Sequence, residues 1–167
     1  HRLGPFQGRG TDVDVVLDLM IHDIDIVLKY VTAPVRQVYA AGVPVLSSNV
    51  DIANVRLHFA NGAVANLTAS RVSLKKTRKI RFFQKDLYVS VDYDTRKTQI
   101  VRRISRGSDR APEIIGEEKV APRTSDSLQA ELASFVRCVR SRTPREVDGR
   151  ACRRALRVAN RILRWMR

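Results

Sequence analysis

The chain has 167 residues, 44% of them hydrophobic, which is the length and apolar content of one domain with an ordinary core. Its apolar runs fall far short of the ~20 residues that span a bilayer, and no basic, apolar, small-residue leader opens it. A soluble cytoplasmic protein is therefore expected, with no membrane role, while a formal net charge of +14 attracts polyanions in general without choosing among nucleic acid, acidic headgroups and phosphorylated small molecules.

The chain starts at His1 rather than at a methionine, so a longer protein with further sequence upstream is expected. Residues 1–10 hold Gly4, Pro5, Gly8 and Gly10, a loop composition leading to Thr11 or Asp12 as the cap of a first helix. The glycines fit neither the dinucleotide nor the Walker spacing, and no strand is expected ahead of them. The helix is predicted to run to about Tyr30, before Pro34. At ~100° per residue, Asp14, Asp18, His22, Asp25 and Lys29 share one stripe, and Val13, Val16, Leu17, Met20, Ile21, Ile24, Val27 and Leu28 fill the other side.

Val35 to Ala41 reads as a strand, followed by a connection through Pro44 and Ser47 to Asn49. Val55, Leu57 and Phe59 alternate with Arg56 and His58, Asn61-Gly62 turns the chain, and Ala63, Ala65, Leu67 and Ala69 alternate again: a hairpin. A second hairpin is predicted from Lys79–Gln84 and Leu87–Tyr93 around Lys85-Asp86, with Thr98–Ile104 as a further strand. Residues 105–124, with two prolines and two glycines, are expected to form a surface excursion. Leu128, Leu132, Phe135, Val136 and Val139 then form an apolar stripe after an Asp126 cap. Cys152, Ala155, Leu156, Ala159, Ile162, Leu163 and Met166 form another after Asp148-Gly149. Cys138 and Cys152, in these two patterns, are too few and isolated for a disulfide framework or zinc site and suit a reducing compartment.

These elements predict an α+β domain, an open, mostly antiparallel sheet with helices on one face. Ile52–Phe59 and Ala63–Ala69 carry apolar or small residues on both faces by composition, which predicts that the second face is covered by another subunit or domain.

The acid and imidazole of Asp18 and His22, four apart, share a helix face. They admit three readings: a solvated polar pair, a general acid/base oriented by a carboxylate, and a metal site completed by Asp25, for which no further ligand cluster is evident. The basic stretch Lys75, Lys76, Arg78, Lys79 and Arg81 reads as a solvated connection or as a phosphate contact. Arg150, Arg153, Arg154, Arg157, Arg161 and Arg164 fall on the outer side of the last helix without aromatic partners, which fits a soluble surface better than a nucleic-acid footprint.

The run Asp18-Leu19-Met20-Ile21-His22-Asp23-Ile24-Asp25, then Asp51-Ile52-Ala53-Asn54, then Phe59 to Arg71, and the closing pattern Leu128, Glu131, Phe135, Val136, Pro144, Val147, Asp148-Gly149 resembles the C-terminal domain of the Gfo/Idh/MocA oxidoreductases. The likeness covers nearly the whole chain. It implies a domain like the C-terminal domain of glyceraldehyde-3-phosphate dehydrogenase, whose open sheet face mediates homo-oligomerisation. It further implies an N-terminal Rossmann domain, upstream of His1, that holds NAD or NADP. In the family an Asp-x-x-x-His pair on this helix serves substrate binding and proton transfer, which maps onto Asp18 and His22; Asp25 lies on the same stripe.

Many members carry glycines before the acid and two residues before the histidine, where this chain has Val15, Val16 and Met20, so helix start and pocket shape should differ. The fuller motif is similar to the branch that oxidises the 3-hydroxyl of UDP-N-acetylglucosamine. Arg71, Lys75, Lys76 and Arg78 would suit such a diphosphate. The implied function is the substrate domain of a sugar or nucleotide-sugar dehydrogenase, inactive as an isolated fragment; the alternative is a non-catalytic assembly module.

Overall fold

In the computed structural model, residues 1–6, 8, 10–104, 113–120, 126–143 and 148–166 are described. The chain divides into two units, His1–Lys76 with Ser125–Arg167, and Thr77–Thr124. The described residues hold eight strands and three helices, a mixed α+β fold of mostly antiparallel pairing.

In the first unit the strand order is β2 (Val35–Val43), β3 (Ile52–Phe59), β4 (Val64–Ser70) and β1 (Arg2–Leu3). β2, β3 and β4 pair antiparallel, and β1 joins β4 in parallel, Arg2 opposite Ala69. The Asn-Gly hairpin forms, with a three-residue loop: Phe59 N–H donates to Ala63 O, Gly62 N–H donates to Phe59 O, and Gly62 takes φ +84°. That left-handed residue closes a bulged turn that glycine adopts without steric cost.

Strand alternation then sorts the side chains. Ala53, Val55, Leu57 and Phe59 of β3, Leu67 and Ala69 of β4 and Val38 of β2 are buried on one face. Against it pack a π-helical turn (Val16–Met20), helix α1 (Ile21–Tyr30) and the last helix α3 (Gly149–Met166), whose Ala155, Ala159, Ile162 and Leu163 complete the core. Helices thus cover one face, as the pattern predicts.

The opposite face mixes exposed apolar residues, Tyr39, Val43 and Val64, with polar ones. β3 exposes Asn54 and Arg56 and half-exposes His58, while β4 offers Asn66 and Thr68, with Thr68 Oγ1 donating to Asn54 Oδ1 at 3.0 Å. Arg56 Nε donates to His58 Nε2, and the Tyr39 ring meets His58 edge-on at 5.7 Å. Composition averaged over both faces hid the period of two, which puts the polar residues of these strands outside.

α3 starts on Asp148, whose Oδ1 accepts from Arg150 N and Ala151 N. Within its predicted stripe Cys152 and Leu156 are exposed rather than packed. Two of its arginines are structural: Arg154 donates to Leu28 O at the end of α1, and Arg161 donates to Val35 O and Arg36 O of β2. Helix α2 (Ser127–Ser141) begins at Asp126, whose carboxylate accepts from Leu128 N at 3.1 Å. Its stripe of Leu128, Leu132, Phe135, Val136 and Val139 is amphipathic as predicted but 45–59% exposed. The motif residues Pro144 and Val147 lie outside the described residues.

The second unit is an antiparallel meander of β5 (Thr77–Gln84), β6 (Leu87–Asp92), β7 (Lys97–Ile104) and β8 (Glu113–Val120). Lys85-Asp86 makes the expected two-residue turn, with Asp86 at φ +61°. Within the expected surface excursion, 113–120 form a paired strand, β8, that stays outside the core. Its sequence, Glu-Ile-Ile-Gly-Glu-Glu-Lys-Val, does not alternate, every residue is exposed, and cross-strand contacts such as Lys97 Nζ to Glu118 Oε1 at 2.9 Å join it to β7. The remainder of 105–124 lies outside the described residues.

Candidate active site

The helix that carries Asp18 and His22 starts later than predicted. Thr11 and Asp12 sit in a turn and do not cap it; Asp14 anchors the start instead, its Oδ1 accepting from Val50 N at 2.9 Å and its carbonyl from Leu17 N and Asp18 N. Val15 N donates to Val50 O at 2.8 Å, so the helix start is tied to the segment entering β3. Asp14 therefore leaves the polar stripe for a structural task.

From Val16 to Met20 the backbone is π-helical, a wider turn than the α-helix that follows it. Val15, Val16 and Met20 are fully buried. These apolar side chains pack the turn against the sheet. Asp18 is half-buried, His22 is exposed and Asp25 is half-buried. Among the described residues no hydrogen bond or ion pair joins Asp18 to His22, so the pair shares a helix without mutual contact.

Asp18 lies against Gly10. Gly10 has φ +72°, and a Cβ placed there would stand 3.0 Å from Asp18 Oδ2 and 3.4 Å from its Cγ. The glycine segment is preceded by a two-residue strand, β1, contrary to expectation, yet it is closed onto the protein rather than shaped for a phosphate. Gly4 N donates to Ser70 O, Gly4 O accepts from Ser73 N, and Gly10 O accepts from Arg71.

Arg71 is 4% exposed. Its Nη1 donates to Gly10 O, its Nη2 to Val13 O at 2.6 Å and to Val50 O at 3.4 Å, and its Nε faces Asp51 Oδ1 at 3.4 Å. A guanidinium spent on three backbone carbonyls and a carboxylate has no fork left for a substrate phosphate. This corrects its expected role; it lies instead at the base of the helix.

Asp51 is fully buried. Burial alone pushes its carboxyl up, but the N–H groups of Val45, Leu46 and Ser47 and the Ser47 hydroxyl together outweigh that and hold its pKa at about 2. The sequence motif flagged Asp51 without a role, and its role is to hold Arg71.

Lys75 is exposed in the connection after β4, and Arg78 is exposed on β5 of the second unit. Asp23, not singled out beforehand, makes a forked ion pair with Arg2, Nε to Oδ2 at 3.1 Å and Nη2 to Oδ1 at 3.0 Å, fixing the strand before the glycines to the helix. Arg2 is 21 residues from Asp23, and no local spacing signals that pair. Among the described residues no group of three His, Cys, Asp or Glu side chains forms a metal cluster.

A model of the GFO/IDH/MocA C-terminal domain matches residues 6–87, which contain Asp18, His22, Arg71, Lys75 and Arg78. The chain belongs to the Gfo/Idh/MocA family. Over 164 residues it is 38% identical to a UDP-N-acetylglucosamine 3-dehydrogenase of Acidithiobacillus ferrooxidans, covering 97% of this chain and 51% of that protein. A solved structure of the same-named enzyme from that organism superposes with a TM-score of 0.88 at 36% identity, over 99% of this chain and 52% of the other. An NAD-binding protein from Listeria innocua shares the fold with a TM-score of 0.71 at 16% identity, over 99% of this chain and 55% of the other. The Gfo/Idh/MocA chain described here thus spans about half the length of these relatives.

Proposed function

We propose that this chain is the substrate-facing part of a nicotinamide-dependent dehydrogenase that oxidises a hydroxyl of a nucleotide sugar, with UDP-N-acetylglucosamine the first candidate, and that a Rossmann domain upstream of His1 holds NAD or NADP. The observation that carries the reading is the exposed His22 imidazole four residues after a half-buried Asp18, on a helix whose start is fixed to the sheet by Asp14. The relative from Acidithiobacillus ferrooxidans bears a name that fits this chemistry.

The nicotinamide, when bound, supplies the acceptor for the hydride that leaves the carbinol carbon. His22 takes the hydroxyl proton on an unprotonated ring nitrogen, its exposure giving substrate direct access. Asp18 accepts a hydrogen bond from the substrate and, when the site is filled, restrains the imidazole. Asp25 offers a further hydroxyl contact, and Lys75 offers charge to the diphosphate. Arg71 has no such part.

Cytoplasmic location and association of copies through the outer face of the β2–β4 sheet belong to the same proposal. Free Cys138 and Cys152 suit a reducing compartment, and Tyr39, exposed on that face, gives an apolar contact among polar ones.

The test uses the full-length gene product. A mass well above 18.9 kDa is expected, with reduction of NAD or NADP on addition of UDP-N-acetylglucosamine. Asp18→Asn and His22→Ala should each lower kcat/KM by about 100-fold or more, the scale of general acid/base catalysis. Undiminished turnover in both variants, or a wild-type protein that oxidises no nucleotide sugar, would overturn the reading.

A further inference from the structure

We infer that Gly10 and Arg71 are positioning residues that set the Asp18 carboxylate, an inference that rests on the role given to Asp18 above. The support is a chain of contacts that runs from a buried ion pair to that carboxylate. Asp51 is held by four donors of the 45–47 segment. It faces Arg71, whose guanidinium reaches Gly10 O and Val13 O on either side of the turn at Thr11 and Asp12. Val50 O, which also accepts from Val15 N, accepts from Arg71 Nη2, so the fork ties the Gly10 loop and the helix start to one point.

At the end of that chain Gly10 supplies a surface without a side chain. Its φ of +72° turns the peptide so that the space a Cβ would need is taken by Asp18 Oδ2, 3.0 Å away. A Cβ there stands closer than ordinary van der Waals contact, so the carboxylate has to give by a few tenths of an ångström. Arg71 holds the Gly10 carbonyl, and Gly10 lies against the Asp18 carboxylate, so the position of that loop sets the space the carboxylate occupies before substrate arrives.

Gly8 gives the internal control. It shares the left-handed conformation, φ +68°, but a Cβ there meets nothing within 4 Å. Gly8→Ala therefore carries the same backbone strain without crowding Asp18. Gly10→Asn tolerates the left-handed backbone yet still brings a Cβ, and it keeps the experiment decisive should Gly10→Ala fail to fold.

In the full-length dehydrogenase, Gly10→Ala and Gly10→Asn are expected to lower kcat about 10- to 100-fold with KM for the nicotinamide nucleotide unchanged, while Gly8→Ala keeps kcat. Crystals of the same full-length variants give a readout independent of turnover: the Asp18 carboxylate is displaced from its wild-type position in both Gly10 variants and not in Gly8→Ala. Arg71→Lys, which keeps the charge but loses the fork, should show a smaller displacement of the Gly10 loop and an intermediate kcat. An unmoved Asp18 with unchanged kcat in Gly10→Asn, or equal losses in the Gly8 and Gly10 variants, would overturn the inference. If Asp18→Asn leaves turnover intact, the catalytic reading fails instead, and the crystallographic comparison still decides whether Gly10 sets the carboxylate.

Discussion

Asp51 and Arg71 form a buried ion pair in the first unit. Removing one partner leaves a buried charge alone, so Asp51→Asn should destabilise the fold by about 3–5 kcal/mol, read from urea unfolding. The donors of the 45–47 segment around Asp51 also set an acid limit. The Asp51 carboxyl sits at about 2 in the folded protein against an ordinary 3.8, so the unfolded chain binds the proton more tightly. Its contribution, on the order of 2 kcal/mol, is present above pH 3.8 and is lost as pH falls from there through 2. Urea midpoints of wild type and Asp51→Asn should therefore converge as pH falls through that window; a constant gap down to pH 2 would contradict it. At this scale the sequence made Asp18 and His22 legible because four-residue spacing is local. Arg71 was misread because it stands beside a basic stretch, whereas its burial comes from Gly10 and Val13, 61 and 58 residues away. Arg2 with Asp23 escaped notice for the same reason.

Among the elements, the hairpins were readable because turn chemistry and alternation agree: Asn61-Gly62 and Lys85-Asp86 lie where strands reverse. β8 was not, since its pairing with β7 rests on cross-strand partners rather than on a pattern of its own. The π turn was equally hidden, because an apolar stripe reports which face is buried and not how many residues make each turn. Where β2 meets α3, the fit is close enough to test. A Cβ at Gly42 would come 2.6 Å from Val50 Cγ1 and 2.9 Å from Met166 Sδ. Gly42→Ala should cost about 1–3 kcal/mol through overpacking and lower Tm by several degrees. An unchanged melt would mean that the strand and helix separate freely there.

For the molecule as a whole, half-length relative to its relatives and an uncovered helix bear on the same experiment. The α2 stripe leaves Leu128, Leu132 and Val139 more than half exposed, a patch unusual on a protein that stands alone. Produced by itself, the 167-residue chain should bind a hydrophobic dye such as ANS and self-associate. Leu132→Glu should reduce both while leaving Tm within about 2 °C, since that side chain adds little to the core. Dye binding equal to that of the wild type would show the patch to be covered. The amphipathic period of α2 was plain in the sequence, while its exposure was not.

The arginines of α3 carry a consequence for how the protein is made. Arg154 grips the last turn of α1 and Arg161 grips β2, each across 126 residues of chain. At the ~5–20 residues per second of translation, on the order of ten seconds pass between the synthesis of the helix bearing His22 and that of the side chains that hold its end. During that interval the helix and β2 wait without their clasp, and a ribosome stalled before the Arg154 codon would release a chain whose His22-bearing helix had never been fastened.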